Sequence, residues 1–399
     1  MASEKEIKVL VIPSWYPPNG GYFFREHAIA LAEAGARVNV LAGIHTSLRT
    51  LRPADFFKSR TRHCISSEGI TEHLRKYWIK PFSNKPNFHG WVNMMLRFYK
   101  SHQKLYGKPD IILAHSSIWA GLVAAFIREK YGVPYVITEH RSRFIYNSEE
   151  AMRMFEPWFF PYLQTAFEGA ENVITVSDAL QPFIKQIAPG AAERMISIPN
   201  MVDTDFFVPP SQPLPQKPFT FFSLANLIPL KGMDTLIEAF ALLLSRQKAD
   251  FRLVIGGDGL ERGKLEQLAE RRNLHNKITF VGKLDREQVA AYLQQAHAFV
   301  LASHFEAFGV VYIEAMASGL PVIATRAGGP ESFIRESEGL LVEPQNPETL
   351  AIAMEKLFEN YHAYDPAAIR QHATAEFGRE SVARQYIELF KEIIKKQTR

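Results

Sequence analysis

The 399-residue sequence contains a single cysteine, Cys64, so the chain has no internal disulfide, which fits a reducing compartment. It also lacks a run of about 18 consecutive apolar residues, the length needed to span a bilayer. The apolar stretch within the N-terminal MASEKEIKVLVIP is too short for a signal peptide. We therefore expect a cytoplasmic protein, either free or peripheral at the inner face of the membrane.

The charge distribution is uneven. The formal net charge is only +4, but residues 49–108 carry 13 Lys and Arg against 3 Asp and Glu, which is +10. Two interpretations stay open: a solvated surface with core aromatics beneath it, or a patch for an anionic membrane surface or a lipid-linked acceptor. A nucleic-acid partner is not expected, because no recognition motif accompanies the charge.

Apolar runs and helical patterns alternate along most of the chain, which predicts an α/β fold with parallel sheets covered on both faces. The stretch 209–218, PPSQPLPQKP, holds five prolines in ten positions and is typical of a linker. The sequence thus predicts two Rossmann-like domains, residues 1–205 and 206–377, with the ligand in the cleft between them. Residues 44–107 show no clear pattern.

The stretch 304–321, HFEAFGVVYIEAMASGLP, follows an apolar strand and is predicted to turn at a glycine into a helix. The backbone at Phe308, Gly309 and Val310 would open this helix, and unpaired amides at a helix N-terminus suit a diphosphate. Glu314 shares a helix face with Val310 and is placed to accept hydrogen bonds from ribose hydroxyls. Glu306, just outside the helix, is placed to reach a sugar.

Other candidates lie at predicted strand ends. Gly20 and Gly21 in the first strand-to-helix loop would let the backbone approach a ligand, or simply form a turn. That loop lacks the G-x-G-x-x-G fingerprint, so it gives no support to a nicotinamide enzyme. His140 ends a predicted strand, where site residues of α/β sheets collect, although such a histidine is more often structural. Lys231, just before a helix, can neutralise a phosphate or merely be solvated.

Two further motifs are less specific. The strand end GGDGLER (256–262) has about equal functional and structural interpretations. The D-x-D of residues 203–205 looks like a metal site of some sugar-transferring enzymes. No second cluster of carboxylates or histidines completes it, so we expect no metal.

Taken together, LxxLxxxKGxxxLIEAF, VIGGDG, ITFVGKL and HFEAFGVVYIEAMASGLPVIAT resemble glycosyltransferase family 4, the group 1 glycosyl transferases of the GT-B fold. The resemblance covers nearly the whole chain, and its specific part is the C-terminal half. It implies a retaining enzyme that uses a nucleotide-diphosphate sugar without a metal or other cofactor. It also implies that a C-terminal helix, about 378–399, packs back on the first domain.

The resemblance assigns roles by position. His140, Lys231 and Glu306 would be catalytic, with Lys231 on the diphosphate and Glu306 at the donor sugar. The donor would also contact a set spread over both halves: Gly20, Gly21, Gly282, Leu284, Phe308, Gly309, Val310 and Glu314. Asn226 stands where the family commonly has an arginine, so one cation expected on the diphosphate is replaced by a neutral donor.

The expected function is transfer of a sugar from a nucleotide-diphosphate donor to an acceptor hydroxyl, in cell-envelope polysaccharide or glycolipid biosynthesis. The alternatives are a GT-B nucleotide-sugar epimerase, which would convert the donor with no acceptor present, and a non-catalytic sugar-nucleotide binding module, which would release no nucleotide. The sequence does not name the base, the sugar, the acceptor, the linkage or the oligomeric state.

Overall fold

The computed structural model describes residues 6–47, 63–80, 84–144, 155–215 and 217–397. The chain divides into two compact units, each with its own sheet. Unit 1 comprises Met1–Val176, Leu180–Ile198 and Val382–Arg399, and unit 2 comprises Ser177–Ala179 and Pro199–Ser381. No helix among the described residues is long and apolar enough to cross a membrane.

Unit 1 is built on an eight-stranded sheet in the order β3-β4-β2-β1-β5-β6-β7-β8. Its strands are β1 (Lys8–Pro13), β2 (Arg37–Ser47), β3 (His63–Ser67), β4 (Ile70–Ile79), β5 (Ile111–His115), β6 (Tyr135–Glu139), β7 (Asn172–Thr175) and β8 (Met195–Ser197). All neighbours are parallel except β3 and β4, which form an antiparallel pair. The central strands β1 and β5 are buried over almost their whole length, as expected for a sheet covered on both faces.

The helices of unit 1 are α1 (Tyr22–Glu33), α2 (Asn84–Tyr106), α3 (Leu122–Tyr131), α4 (Phe160–Gly169), α5 (Gln181–Ile187) and the C-terminal α12 (Arg379–Gln397), which belongs to this unit from Val382 onward. Tyr386 of α12 lies in the core, with its hydroxyl 3.0 Å from the Thr138 hydroxyl on β6. Its ring meets that of His27 edge to face at 4.3 Å. The C-terminal helix is thus part of the first unit's core.

Strands β3 and β4 and helix α2 occupy the stretch for which the sequence showed no pattern. A glycine inside α2 weakens the helical signal, since glycine disfavours helix interiors. The fold requires that glycine: a Cβ on Gly90 would lie 2.2 Å from the Tyr77 hydroxyl oxygen. Here a tertiary contact overrides local propensity.

Unit 2 is built on a six-stranded sheet in the order β11-β10-β9-β12-β13-β14, parallel throughout. Its strands are β9 (Phe219–Leu224), β10 (Phe251–Gly256), β11 (Ile278–Gly282), β12 (Ala298–Leu301), β13 (Val322–Thr325) and β14 (Gly339–Val342). Its helices are α6 (Met233–Arg246), α7 (Arg262–Arg271), α8 (Arg286–Leu293), α9 (Val310–Ala317), α10 (Pro347–Glu359) and α11 (Pro366–Phe377). The predicted alternation of strands and helices holds over this whole unit.

The core of unit 1 contains buried histidines that should make its stability depend on pH. Burial, with a smaller effect of His140, lowers the pKa of His27 to about 3. The unfolded chain binds this proton near its ordinary pKa of about 6.5, so stability is full above that pH and falls as the pH drops below it. At pH 5 the loss from His27 is about 2 kcal/mol. Burial also holds the pKa of His115 well below its usual range, which acts in the same direction.

We expect urea midpoints of unit 1 to fall between pH 7 and pH 5. The variant His27→Phe keeps an aromatic ring against Tyr386, and its urea midpoint should fall less between the same two pH values. An equal fall of the midpoint in the wild type and the variant would show that His27 does not stay neutral in the fold.

Candidate active site

The strand order of unit 2 places its site. From β9 the chain moves outward through β10 and β11 on one side, then returns to pair β12 with the other side of β9. Such a reversal opens a crevice at the carboxyl ends of the two strands, where open α/β sheets bind ligands. The segments that enter this crevice are those following β9 and β12, which contain Lys231 and Glu306.

A cavity of 510 Å³ lies at this point, a volume within the range of small-molecule sites. Lys231 and Glu306 both line the cavity, as do four further predicted donor contacts: Asn226, Leu284, Gly309 and Val310. Val311, the next residue after Val310, lines it as well. The wall is completed by Leu224, Ala225, Gly257, Asp258, Lys283 and Leu301. The structure therefore brings residues from four strand ends into one concave surface.

An ion pair joins the two most important predicted side chains. The Lys231 Nζ lies 2.6 Å from the Glu306 Oε2, although the residues are 75 apart in sequence. Both side chains are largely buried, at 21% and 13% exposure, so removal of one partner would leave the other charge buried and unpaired. Gly329 donates its N–H to the Glu306 carbonyl at 2.8 Å, which fixes the backbone of the glutamate.

Helix α9 points its N-terminus into the cavity. Its N-cap is Gly309, with φ 90°, and no side chain caps it. A Cβ at this position would lie 2.4 Å from the Tyr312 ring, so glycine is required both by backbone conformation and by space. The first amides of the helix, at Val310 and Val311, therefore meet the cavity without a capping side chain, and the helix dipole favours an anion there.

Some predicted donor contacts do not line this cavity. The Phe308 side chain is in the core, with its ring 4.8 Å from that of Phe333. Glu314 is half-buried and lies one turn further along α9. Gly282 ends β11 and is outside the cavity wall, while its neighbours Lys283 and Leu284 form part of it. The roles assigned to Phe308, Glu314 and Gly282 stay predictions.

The cavity wall also contains Gly257 and Asp258, which belong to the GGDGLER stretch whose functional and structural interpretations the sequence left open. It contains Lys283 as well, within Gly282 to Leu284, which the resemblance sets along the base of the nucleotide. Gly257 has φ 116°, and a Cβ there would lie 1.8 Å from the Ala225 carbonyl oxygen, so only glycine lets the ends of β9 and β10 close on each other. The signal was present, since each of these residues follows an apolar strand. What the sequence lacked was the strand order, which sets the ends of β9, β10 and β11 side by side.

Asn226 lines the cavity at the position where the resemblance expects an arginine. Its side chain is exposed and supplies hydrogen-bond donors but no charge. Lys283 also lines the cavity. At the Glu306 end, positive potential comes from Lys231, which pairs with Glu306, and from the α9 N-terminus, whose N-cap Gly309 lines the same cavity.

The predicted residues of unit 1 also meet at a strand edge. Gly21 is the N-cap of α1, with φ 76°, and follows Gly20 in the loop after β1. His140 follows β6, with its Nε2 3.1 Å from the His115 Nδ1 and its ring 5.2 Å from that of Phe24 in α1. The role of Gly20, Gly21 and His140 towards a donor stays a prediction.

The D-x-D motif has a structural use. The Asp203 carboxylate lies 3.0 Å from the Arg286 guanidinium and 2.8 Å from that of Arg379, and its Oδ1 accepts the N–H of Phe206. Two arginines thus occupy the carboxylate that a metal would need. Over residues 6–47, 63–80, 84–144, 155–215 and 217–397 there is no group of three or more His, Cys, Asp or Glu side chains that could hold a metal ion.

Comparison with known proteins gives matches over both halves of the chain. The model described as Glycosyltransferase Family 4 matches residues 20–206, and the model described as Glycosyl transferases group 1 matches residues 206–379. The D-inositol 3-phosphate glycosyltransferase of Corynebacterium urealyticum is 28% identical over 338 residues, covering 76% of this chain and 75% of that protein.

Solved structures match the fold. Sucrose-phosphate synthase from Thermosynechococcus elongatus superposes with a TM-score of 0.78 at 23% identity, covering 97% of this chain and 99% of that one. Anabaena HepE in complex with UDP superposes with a TM-score of 0.71 at 20% identity, covering 97% and 100%. The predicted fold class is confirmed: two parallel-sheet Rossmann-like α/β units of the GT-B type.

Proposed function

Since this chain belongs to glycosyltransferase family 4, the group 1 glycosyl transferases, we propose that it transfers a sugar from a nucleotide-diphosphate donor held in the unit 2 cavity to an acceptor hydroxyl. The observation that carries the proposal is the Lys231–Glu306 pair beside the N-terminus of α9. This arrangement offers an ammonium group and unpaired amides to a diphosphate and a carboxylate to a sugar.

The proposed reaction breaks the bond between the anomeric carbon and the diphosphate oxygen and forms a bond from that carbon to the acceptor oxygen. The acceptor proton passes to the departing diphosphate on the same face of the sugar, and the configuration is retained. Retention is carried over from the resemblance. Lys231 and the α9 amides stabilise the negative charge that develops on the leaving group, which is where a fixed cation contributes most to rate.

In this proposal the charge on the leaving diphosphate is neutralised by the chain's own groups and no metal is needed. Transfer that continues unchanged after treatment with EDTA supports this part. Transfer that stops in EDTA and returns with Mg²⁺ or Mn²⁺ contradicts it.

The donor is proposed to be a nucleotide-diphosphate sugar, and the likeness to HepE, solved with UDP, makes uridine-diphosphate sugars the first to examine. The likeness to a D-inositol 3-phosphate glycosyltransferase places polyol phosphates among the acceptors to examine. We further propose a role in cell-envelope polysaccharide or glycolipid synthesis, with a lipid-linked acceptor, at the inner face of the membrane.

A thermal-shift screen of nucleotide sugars followed by a transfer assay tests the proposal. A donor at 100 times its dissociation constant stabilises the folded protein by about 2.7 kcal/mol. In a unit of this size, that corresponds to a rise in melting temperature of about 5–10 °C. The stabilising donor should then release its nucleotide only when an acceptor is added.

The same assay separates the alternatives. Conversion of the donor sugar to an epimer without acceptor would show an epimerase. Stabilisation by a donor without turnover over a broad acceptor panel would show a binding module. Either result overturns the proposed transfer.

A further inference from the structure

Helix α2 is unusual in its charge. Its 23 residues, Asn84–Tyr106, contain four basic side chains and no Asp or Glu, and Lys108 follows it. The other long helix of the unit, α12, has five basic and three acidic residues over Arg379–Gln397, the mixture typical of a solvated helix. Five of the 13 basic residues of 49–108 therefore lie on α2 or directly after it, with no acidic residue among them, while 48–62 and 81–83 lie outside the described residues.

Three of these cations form one narrow surface. Arg97, Lys100 and Lys104 are three and four residues apart, so they lie on the same side of the helix. All three are exposed, and none makes a hydrogen bond or ion pair through its side chain with another described residue. We call these three residues the cationic face. Leu105 follows Lys104, lies about 100° around the helix from it and is 73% exposed, so it adds apolar surface next to the cationic face.

The opposite side of α2 holds the helix rigidly. Its buried residues are Asn87, Phe88, Trp91, Val92, Met95, Phe98, Tyr99 and His102. The Tyr99 ring packs on that of Tyr131 at 5.2 Å, and Lys130, exposed next to it, adds a further cation. Because the apolar side of α2 is buried in the core, the fold fixes the direction in which the cationic face points.

We propose that the cationic face docks the protein on an anionic lipid bilayer surface. Unpaired Lys and Arg near such a surface each contribute about 1 kcal/mol, and the absence of acidic residues from the helix removes local repulsion from the lipid phosphates. This surface is distinct from the donor cavity, which lies in unit 2, so membrane binding does not depend on the proposed transferase reaction.

Cosedimentation of the full-length protein with vesicles tests the proposal without donor or acceptor. The wild type should bind vesicles of phosphatidylcholine plus phosphatidylglycerol, bind pure phosphatidylcholine weakly, and lose binding as NaCl increases. The triple variant R97Q/K100Q/K104Q should bind the anionic vesicles about 100-fold more weakly, since three contributions of about 1 kcal/mol are removed and about 1.4 kcal/mol is tenfold.

A matched control, K185Q/K248Q/R271Q, removes the same charge from exposed positions elsewhere. This control should bind anionic vesicles as strongly as the wild type if vesicle binding depends on the location of the cations and not on the net charge of the protein. Equal binding of the two triple variants overturns the proposal, as does a wild type that does not distinguish anionic from neutral vesicles. The surface would be assigned to nucleic acid instead if the wild type binds a labelled oligonucleotide but no vesicles, and R97Q/K100Q/K104Q loses the oligonucleotide binding. Circular dichroism melting curves should show all three proteins folded.

Discussion

Replacing Lys231 with alanine is expected to lower kcat by about 100- to 1,000-fold, the usual loss when one fixed donor to a developing negative charge is removed. The reason is specific to this chain. Asn226 supplies no charge at the position where the family commonly has an arginine, so Lys231 is the cation that the structure places beside the α9 N-terminus. Initial rates of nucleotide release at saturating donor give the measurement.

Two controls make this result interpretable. Lys277 pairs with Asp250 at the amino ends of β11 and β10, whereas the cavity lies at the carboxyl ends of the strands, so Lys277→Ala removes a lysine with little expected effect on rate. Lys231→Ala alone leaves the Glu306 carboxylate partly buried without its partner, so the double variant K231A/E306Q should be compared for melting temperature. Lys231→Ala with activity within a few-fold of the wild type would show that another group carries the diphosphate.

Substitutions of Glu306 and Glu314 should have different effects on turnover and on nucleotide affinity. Glu306→Gln is expected to lower kcat strongly, because it removes the carboxylate that is proposed to contact the donor sugar, while nucleoside-diphosphate affinity stays the same or increases. The affinity follows from the ion pair at 2.6 Å: without Glu306, Lys231 no longer has a competing partner when the diphosphate arrives. Glu314→Ala should mainly weaken nucleotide binding, by roughly 10- to 100-fold for the loss of hydrogen bonds from ribose to a charged group.

Calorimetric titration with the nucleoside diphosphate and steady-state kinetics with the donor give the two measurements. Glutamine keeps the shape of Glu306, so a fall in kcat reports the charge and not a cavity. The reverse pattern, with Glu306 controlling nucleotide affinity and Glu314 controlling turnover, would exchange their roles. An unchanged nucleotide affinity in Glu314→Ala would agree with its position outside the cavity wall and remove it from the site.

Several features of the site followed from the sequence because they are local. An apolar strand, then a glycine, then an alanine-rich helix dictates a helix N-terminus at Gly309, and the observed α9 begins at Val310. The lysine before α6 was located in the same way. Strand ends, glycines that need positive φ, and helix starts are all set within about ten residues of chain, so pattern and backbone chemistry are enough to find them.

Other features were not predictable because they depend on contacts distant in sequence. The pairing of Lys231 with Glu306 needs β9 and β12 to be neighbours, and the sequence does not state the strand order. The same order brings Asp258 and Lys283 into the cavity wall. The two arginines on Asp203 come from positions 83 and 176 residues away, and they give the D-x-D motif a structural role that its local sequence does not reveal.

The sequence by itself determined the alternation of strands and helices, the family resemblance and the excess of positive charge in 49–108, since periodicity and composition are properties of the chain. Only the tertiary structure decided where the part of that charge on α2 lies. Burial of one side of α2 fixes Arg97, Lys100 and Lys104 on the other side, and packing against Tyr77 explains the glycine that obscured the helix. Which groups face a ligand or a surface is set by what the remaining side chains bury, and burial is a property of the whole fold.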